Sequence, residues 1–146
     1  GRMFEFAKSF NGDLSSWDVS SVTDMKRMFS SAHSFNGDLS SWDVSNVESM
    51  MEMFAQAQSF NSNLSSWDVS SVTDMLCMFQ EARSFNCDLS SWDVSNVTEE
   101  DGMHSMFGDD RNVWVPCLSE ENKCMIHTSF SKQNENWPYD WSEFCD

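Results

Sequence analysis

A block of eleven residues, 10–20, returns at 35–45, 60–70 and 85–95, varying only at its third and fourth places, so that Trp17, Trp42, Trp67 and Trp92 stand 25 residues apart. A second block repeats at the same interval. Val22, Met25, Met28, Phe29 and Ala32 come back as Val47, Met50, Met53, Phe54 and Ala57, then as Val72, Met75, Met78, Phe79 and Ala82. The next copy keeps Val97, but Met103, Met106 and Phe107 fit only after three extra residues, placed around Glu99, Glu100, Asp101 and Gly102. Met3, Phe4 and Ala7 take the places of Met28, Phe29 and Ala32, so the chain opens in mid-unit and reads as part of a longer one. Self-similarity at this period means that each unit buries its apolar face only against its neighbours.

Within one unit, Val22, Met25, Met28, Phe29 and Ala32 lie three and four residues apart, which predicts one face of a short helix. Ser21 with Asp24 three residues on, and Asn46 in the following copy, read as its N-terminal caps. Asn36-Gly37 is a turn signal. Leu39 to Val44 reads as extended chain, with Trp42 and Val44 on one face and Asp43 on the other. The expected fold class is therefore an α/β repeat solenoid, leucine-rich-repeat-like, with a short strand and a short helix per 25-residue coil. Its interior is expected to be a ladder of Met, Phe, Leu and Trp.

The repeat ends near residue 107. Residues 108–146 hold Trp114, Trp137, Trp141, Pro116, Pro138, Cys117, Cys124 and Cys145. A stack of coils needs an atypical end, so the expected organisation is a repeat region at 1–107 and a C-terminal cap at 108–146. The aromatics of that cap would cover Met106 and Phe107.

The spelling Trp-Asp-Val-Ser-x-Val-Thr-x-Met-x-x-Met-Phe-x-x-Ala-x-x-Phe-Asn resembles the repeat of BspA-like leucine-rich-repeat surface proteins. The variant is that of mycoplasma surface lipoproteins, also found in microbial eukaryotes and algae. The resemblance covers residues 3 to about 107. It implies a solenoid at a cell surface or in extracellular material, with roles in adhesion and binding and with no catalytic residues to carry over.

Twenty-four acids against eight bases give a net charge of −16. That balance opposes binding to nucleic acid or to anionic lipid, both of which need cationic surface. It suits basic partners or divalent cations. No apolar run is long enough to span a membrane. Asp18, Asp43, Asp68 and Asp93 recur once per coil, and Asp13, Asp38 and Asp88 recur in the turn with Asn63 replacing the fourth. Such carboxylates either bond neighbouring backbone N–H groups or take a hard cation such as calcium; the first reading is preferred and calcium is kept as the one candidate cofactor. Asn11, Asn36, Asn61 and Asn86 form a second ladder, expected to be buried and to satisfy backbone groups.

Asn63-Leu64-Ser65 and Asn96-Val97-Thr98 are acceptor sequons for N-glycosylation. Among five cysteines, any of the three pairings of Cys117, Cys124 and Cys145 is open, with Cys117 to Cys124 or Cys145 preferred, Cys77 is placed where it could pair with Cys87, and one thiol is left over. Cys117, Cys124, His127 and Cys145 form a weak metal-ligand set that matches no standard zinc spacing. His33, His104 and His127 sit in no nucleophile context, and a chain that repeats its residues lacks a unique site, so no enzyme is expected. The expected function is an extracellular or cell-surface interaction or adhesion module with a protein or glycan partner. The alternatives are a glycosylated structural subunit that self-associates into filaments or a coat, and an accessory subunit of a larger assembly.

Overall fold

The computed structural model describes residues 1–98, 102–108 and 116–145. Glu99, Glu100, Asp101 and Trp114 lie outside the described residues.

Successive 25-residue units stack as coils. In the Met-Phe half of each unit, alternate peptide groups point along the stack. Met25, Arg27, Phe29 and Ser31 donate their N–H to the carbonyls of Ser49, Met51, Met53 and Ala55. Met50, Glu52, Phe54 and Gln56 repeat this to Asp74, Leu76, Met78 and Gln80. At the start, Arg2, Phe4 and Phe6 donate to Lys26, Met28 and Ser30, which seats the first residues in the repeat frame. Later, Met75, Cys77 and Phe79 donate to Gly102, His104 and Met106. The partner is then 27 residues on instead of 24, so three additional residues enter the last coil and the ladder continues past them.

The helix and strand expected in each unit are both absent from the described repeats. The only β-pairings are isolated parallel bridges, Asp24 with Ser49 and Ser49 with Asp74. In place of a helix there are consecutive tight turns, closed by Met28 N–H to Met25 C=O, Ser30 to Arg27 and Ala32 to Phe29. Arg27 and Ser31 have φ of 56° and 59°, and Glu52, Gln56, Cys77 and Glu81 match them in the next coils. A left-handed residue every fourth position is incompatible with a helix. Each such turn brings the chain back to the interior after three or four residues, which is why Met25, Met28, Phe29 and Ala32 imitate helical spacing. A helix would also spend its backbone groups within the coil, and this arrangement frees them to bind the next one. Asp24 accordingly accepts from Lys26 N–H in its own turn, and Asn46 donates Nδ2 to Ser20 C=O across coils; neither caps a helix.

These left-handed residues are not glycines, and each costs roughly 1–2 kcal/mol relative to the right-handed conformation. Glu81, at φ 58°, makes no ion pair among the described residues. Glu81→Gly is expected to raise stability by about 0.5–1 kcal/mol, after the extra freedom of glycine in the unfolded chain. A urea midpoint shifted upward at unchanged slope is the check.

In the Trp half of each unit, side chains make the cross-links. Trp42, Trp67 and Trp92 donate Nε1–H to the carbonyls of Leu14, Leu39 and Leu64 at 3.0, 2.9 and 2.9 Å. Ser41, Ser66 and Ser91 donate Oγ–H to Ser15, Ser40 and Ser65 one coil back. Trp42 and Val44 are buried and Asp43 is exposed, as alternation required, though no strand forms.

The interior is the expected ladder. Phe4, Phe29, Phe54, Phe79 and Phe107 stack ring on ring at 5.4–5.7 Å, and Phe35, Phe60 and Phe85 at 6.0–6.1 Å. Met50, Met53, Leu64, Val72, Met75 and Met78 fill the space between them with no exposed surface.

Beyond the repeats, α1 (Glu120–Gln133) is the one α-helix among the described residues, followed by a 3-10 turn at Ser142–Phe144. Ser119 caps α1 by accepting Asn122 N–H, with Glu120 and Glu121 in the first turn and Lys132 in the last. These charges complement the helix dipole. Ile126 and Phe130 face inward. No helix among the described residues is long and apolar enough to cross a membrane.

Candidate functional site

The outward surface of the Trp half carries rows of Asp and Ser at coil spacing. Each carboxylate closes a turn on the serine two residues ahead. Asp18, Asp43, Asp68 and Asp93 accept the backbone N–H of Ser20, Ser45, Ser70 and Ser95 at 3.1 Å. They also accept the hydroxyls of the same serines at 2.6–2.7 Å. Asp13, Asp38 and Asp88 do likewise with Ser15, Ser40 and Ser90 through the backbone, and Asn63 with Ser65. The amide oxygen of Asn63 fills the carboxylate's place, so the turn needs the acceptor and not the charge.

The serine hydroxyl and then the serine N–H hold the carboxyls of Asp18, Asp43, Asp68 and Asp93 below the ordinary 3.8. The neighbouring charges of Asp68 and Asp18 act in the opposite sense on Asp43, as that of Asp93 does on Asp68. Asp13 and Asp38 are lowered first by the backbone bond from Ser15 and Ser40. Because the folded values lie below the unfolded one, the stabilisation is complete above about pH 4 and is lost as pH falls through the lowered values. Acid titration at constant temperature should therefore leave the chain folded at pH 5 and destabilise it progressively below pH 4. A variant with Asp18, Asp43, Asp68 and Asp93 all changed to Asn should show a weaker acid transition.

This engagement bears on the calcium reading. Each row carboxylate is committed to its own turn, and no group of three or more His, Cys, Asp or Glu side chains able to hold a metal forms among the described residues. The Asp18, Asp43, Asp68 and Asp93 row therefore presents single carboxylates in file, without the cage of oxygens that calcium takes.

The asparagine ladder does the work expected of it, but from the surface. Asn11, Asn36 and Asn61 accept the N–H of Asn36, Asn61 and Asn86 at 2.8–2.9 Å, yet all four are exposed and not buried. Each coil is only as wide as its own aromatic layer, so a turn residue stays at the rim.

The C-terminal segment continues these same ladders. Asn86 Oδ1, with no fifth repeat asparagine to serve, accepts Ser119 N–H and Asn122 Nδ2–H. Ser129 donates to Ser90 C=O at 2.7 Å, as the next coil's serine would. Gln133 accepts Val94 N–H and donates to Trp92 C=O. Asn134 donates to the carbonyls of Val94 and Val97 from a buried position. Over Phe107 lie Trp137, Tyr139 and Trp141, and the Tyr139 hydroxyl accepts Phe107 N–H while donating to Gly108 C=O. The polar side chains of α1 and of its C-terminal end were not singled out in the sequence. Ser119 ahead of two acids and Lys132 at the far end were the available signal for the helix.

Of the three open pairings of the C-terminal cysteines, the preferred ones through Cys117 do not form, and neither does Cys77 with Cys87. Cys124 and Cys145 form the disulfide, tying α1 to the 3-10 turn. Cys117 is free and exposed, and Cys77 and Cys87 are both free. Cys77 and Cys87 sit in different halves of their coil, one at a left-handed turn position and one beside Asn63 and Leu64. Burial pushes both thiols up from their ordinary value, so they stay protonated at neutral pH. The disulfide removes Cys124 and Cys145 from the metal-ligand set, and Trp137 Nε1–H occupies His127 Nδ1 at 3.1 Å. Of the two sequon asparagines, both exposed, Asn96 donates Nδ2 to Ser70 C=O, and Asn63 uses only its oxygen.

Stacked coils, side-chain cross-links at one register and a continuous aromatic core define a tandem-repeat protein. The chain belongs to the family described as mycoplasma protein of unknown function, DUF285, whose model matches residues 1–118. Neither the curated proteins nor the solved structures give a significant match.

Proposed function

We propose that this chain is an extracellular or cell-surface interaction module without a catalytic role, built as a leucine-rich-repeat-like solenoid of the BspA type with residues 108–146 as its cap. The observation that carries the reading is the one-signed outer face. No Lys or Arg occurs between Arg27 and Arg83, while Asp38, Asp43, Glu48, Glu52, Asp68, Asp74 and Glu81 do. The aspartates of the Trp half are held at fixed intervals by their own serines. A rigid file of like charges favours an extended, basic partner and raises its encounter rate. The disulfide fits an oxidising compartment.

The alternative of a filament subunit is weakened at one end by the side chains of α1 and its neighbours, which occupy Asn86 Oδ1 and the Ser90 carbonyl, two groups that a further coil would use. Calcium is not required by this reading.

The test is binding of the purified chain to an array of basic proteins and glycans in low and high salt. A retained partner whose affinity falls at least tenfold between 50 and 300 mM salt, roughly as expected when exposed charges are screened, supports the reading. The quadruple Asp→Asn variant at positions 18, 43, 68 and 93 should fold, as Asn63 shows the amide can serve the turn, and should lose most of that binding. Unchanged binding by this variant would remove the acidic file from the function.

A further inference from the structure

The C-terminal segment contains one hydrogen bond whose existence depends on a proton. Trp137 donates its indole Nε1–H to His127 Nδ1 at 3.1 Å, which joins the stretch after α1 back onto the helix. An imidazole nitrogen accepts only when it carries no proton, so His127 here is neutral with its proton on Nε2. The imidazolium carries N–H at both nitrogens, and protonation sets two donors against each other at this contact.

Trp137 stands at the centre of the aromatic cover. Its ring lies 5.1–6.4 Å from those of Phe107, Phe130, Tyr139 and Trp141 and is edge-on to Phe107, Phe130 and Trp141. Those contacts hold the apolar body of the ring, and His127 holds its polar edge. Both residues of the pair are half-buried, so a freed indole N–H can turn to water.

The charged groups that face His127 give a cationic ring another place to go. Asp140, three residues beyond Trp137, interacts with His127. Its Oδ1 accepts Ser142 Oγ–H and N–H at 2.7 and 3.2 Å. Those bonds, the hydroxyl's first, hold the Asp140 carboxyl below the ordinary 3.8, so it is still charged at pH 5. Lys123, one helical turn back on α1, sets its Nζ 4.4 Å over the Phe144 ring, and Glu143 of the 3-10 turn is exposed. An imidazolium is therefore drawn toward Asp140 and pushed from the indole N–H and from Lys123.

We infer that His127 and Trp137 form a proton-operated latch: neutral His127 fixes the indole in the cover over Phe107, and protonated His127 turns to Asp140 and lets the indole go. Tyr139 keeps its own bonds to Phe107 N–H and Gly108 C=O, and the disulfide keeps α1 joined to the 3-10 turn, so the opening is confined to Trp137 and its edge of the cover. Histidine changes charge between about pH 5 and 8. The aspartate turns of the repeats give way only below about pH 4, so the latch opens on a folded stack.

The experiment follows the His127 ring nitrogens and the Trp137 indole N–H of the intact chain by NMR across the histidine range, about pH 8 to 5. The indole resonance is expected to move with the same midpoint as the His127 ring. Its hydrogen exchange, corrected for the intrinsic effect of pH, should be about tenfold faster at the acid end, as fits the loss of one hydrogen bond. His127→Gln supplies an amide oxygen that accepts and does not titrate, so its indole should stay protected across the range. Asp140→Asn keeps an acceptor for Ser142 but removes the charge, and should reduce the acceleration. An indole resonance that stays in place while the His127 ring titrates overturns the inference, and that reading needs no variant to fold. The same acid acceleration in His127→Gln overturns it as well.

Discussion

Trp67→Ala is expected to cost about 3–5 kcal/mol of stability, the range for removing a large aromatic from a packed core, while Trp17→Ala should cost about 1 kcal/mol or less. The two residues share one repeat position and one local sequence. Trp67 is 4% exposed, donates to Leu39 C=O at 2.9 Å and stacks 6.4 Å from Trp92. Its loss leaves a cavity in the middle of the stack and takes from the Leu39 carbonyl its inter-coil donor, leaving only Trp42 N–H. Trp17 lies at the bare end, 39% exposed, against only Phe4. Because each coil is held only by its neighbours, a weakened central interface should also uncouple the two halves. Urea unfolding followed by circular dichroism should show a large drop in midpoint for Trp67→Ala, with a broadened or two-step transition. Equal effects from the two variants would mean that position in the stack does not set the energetics.

Removing the disulfide should have the next largest effect. Cys124 and Cys145 are 21 residues apart in sequence, and closing a loop of that size restricts the unfolded chain by about 3 kcal/mol. The Cys124→Ser, Cys145→Ser double variant avoids exchange with the exposed Cys117 thiol. Calorimetry should give a melting temperature lower by about 6–12 °C, given about 2–4 °C per kcal/mol for chains of this size. The loss should be felt in the C-terminal segment first, because the bond joins α1 to the turn that follows Trp141. If reduction leaves the melting temperature unchanged, the contacts of Trp137, Tyr139 and Trp141 on Phe107 hold the segment by themselves.

Much of this was legible without coordinates. The 25-residue period, the three-residue insertion, the seating of Met3 and Phe4 in the frame, and the identity of the aromatic core all follow from spacing. So does the structural use of the aspartates, since Asp followed two residues later by Ser is a turn-forming pair. Several readings failed for reasons that lie outside any single unit. Met25, Met28, Phe29 and Ala32 have helical spacing, but the left-handed residues Arg27 and Ser31 carry no glycine to reveal them. The asparagines were assigned to the interior when the coil's own width leaves them at the rim. The cysteine pairing depended on α1, which sets Cys124 and Thr128 four residues apart on one face and brings both to the Cys145 turn, Thr128 lying within 4 Å of both sulfurs.

The sequence by itself determined which apolar side chains line the inner coils and at what interval they recur, because that pattern is written out in full within each coil. Only the tertiary structure decided the backbone conformation and the pairing of the ends. Hydrogen bonds between coils compete with those inside a coil, and the balance is settled by a neighbour 25 residues away that no local window contains.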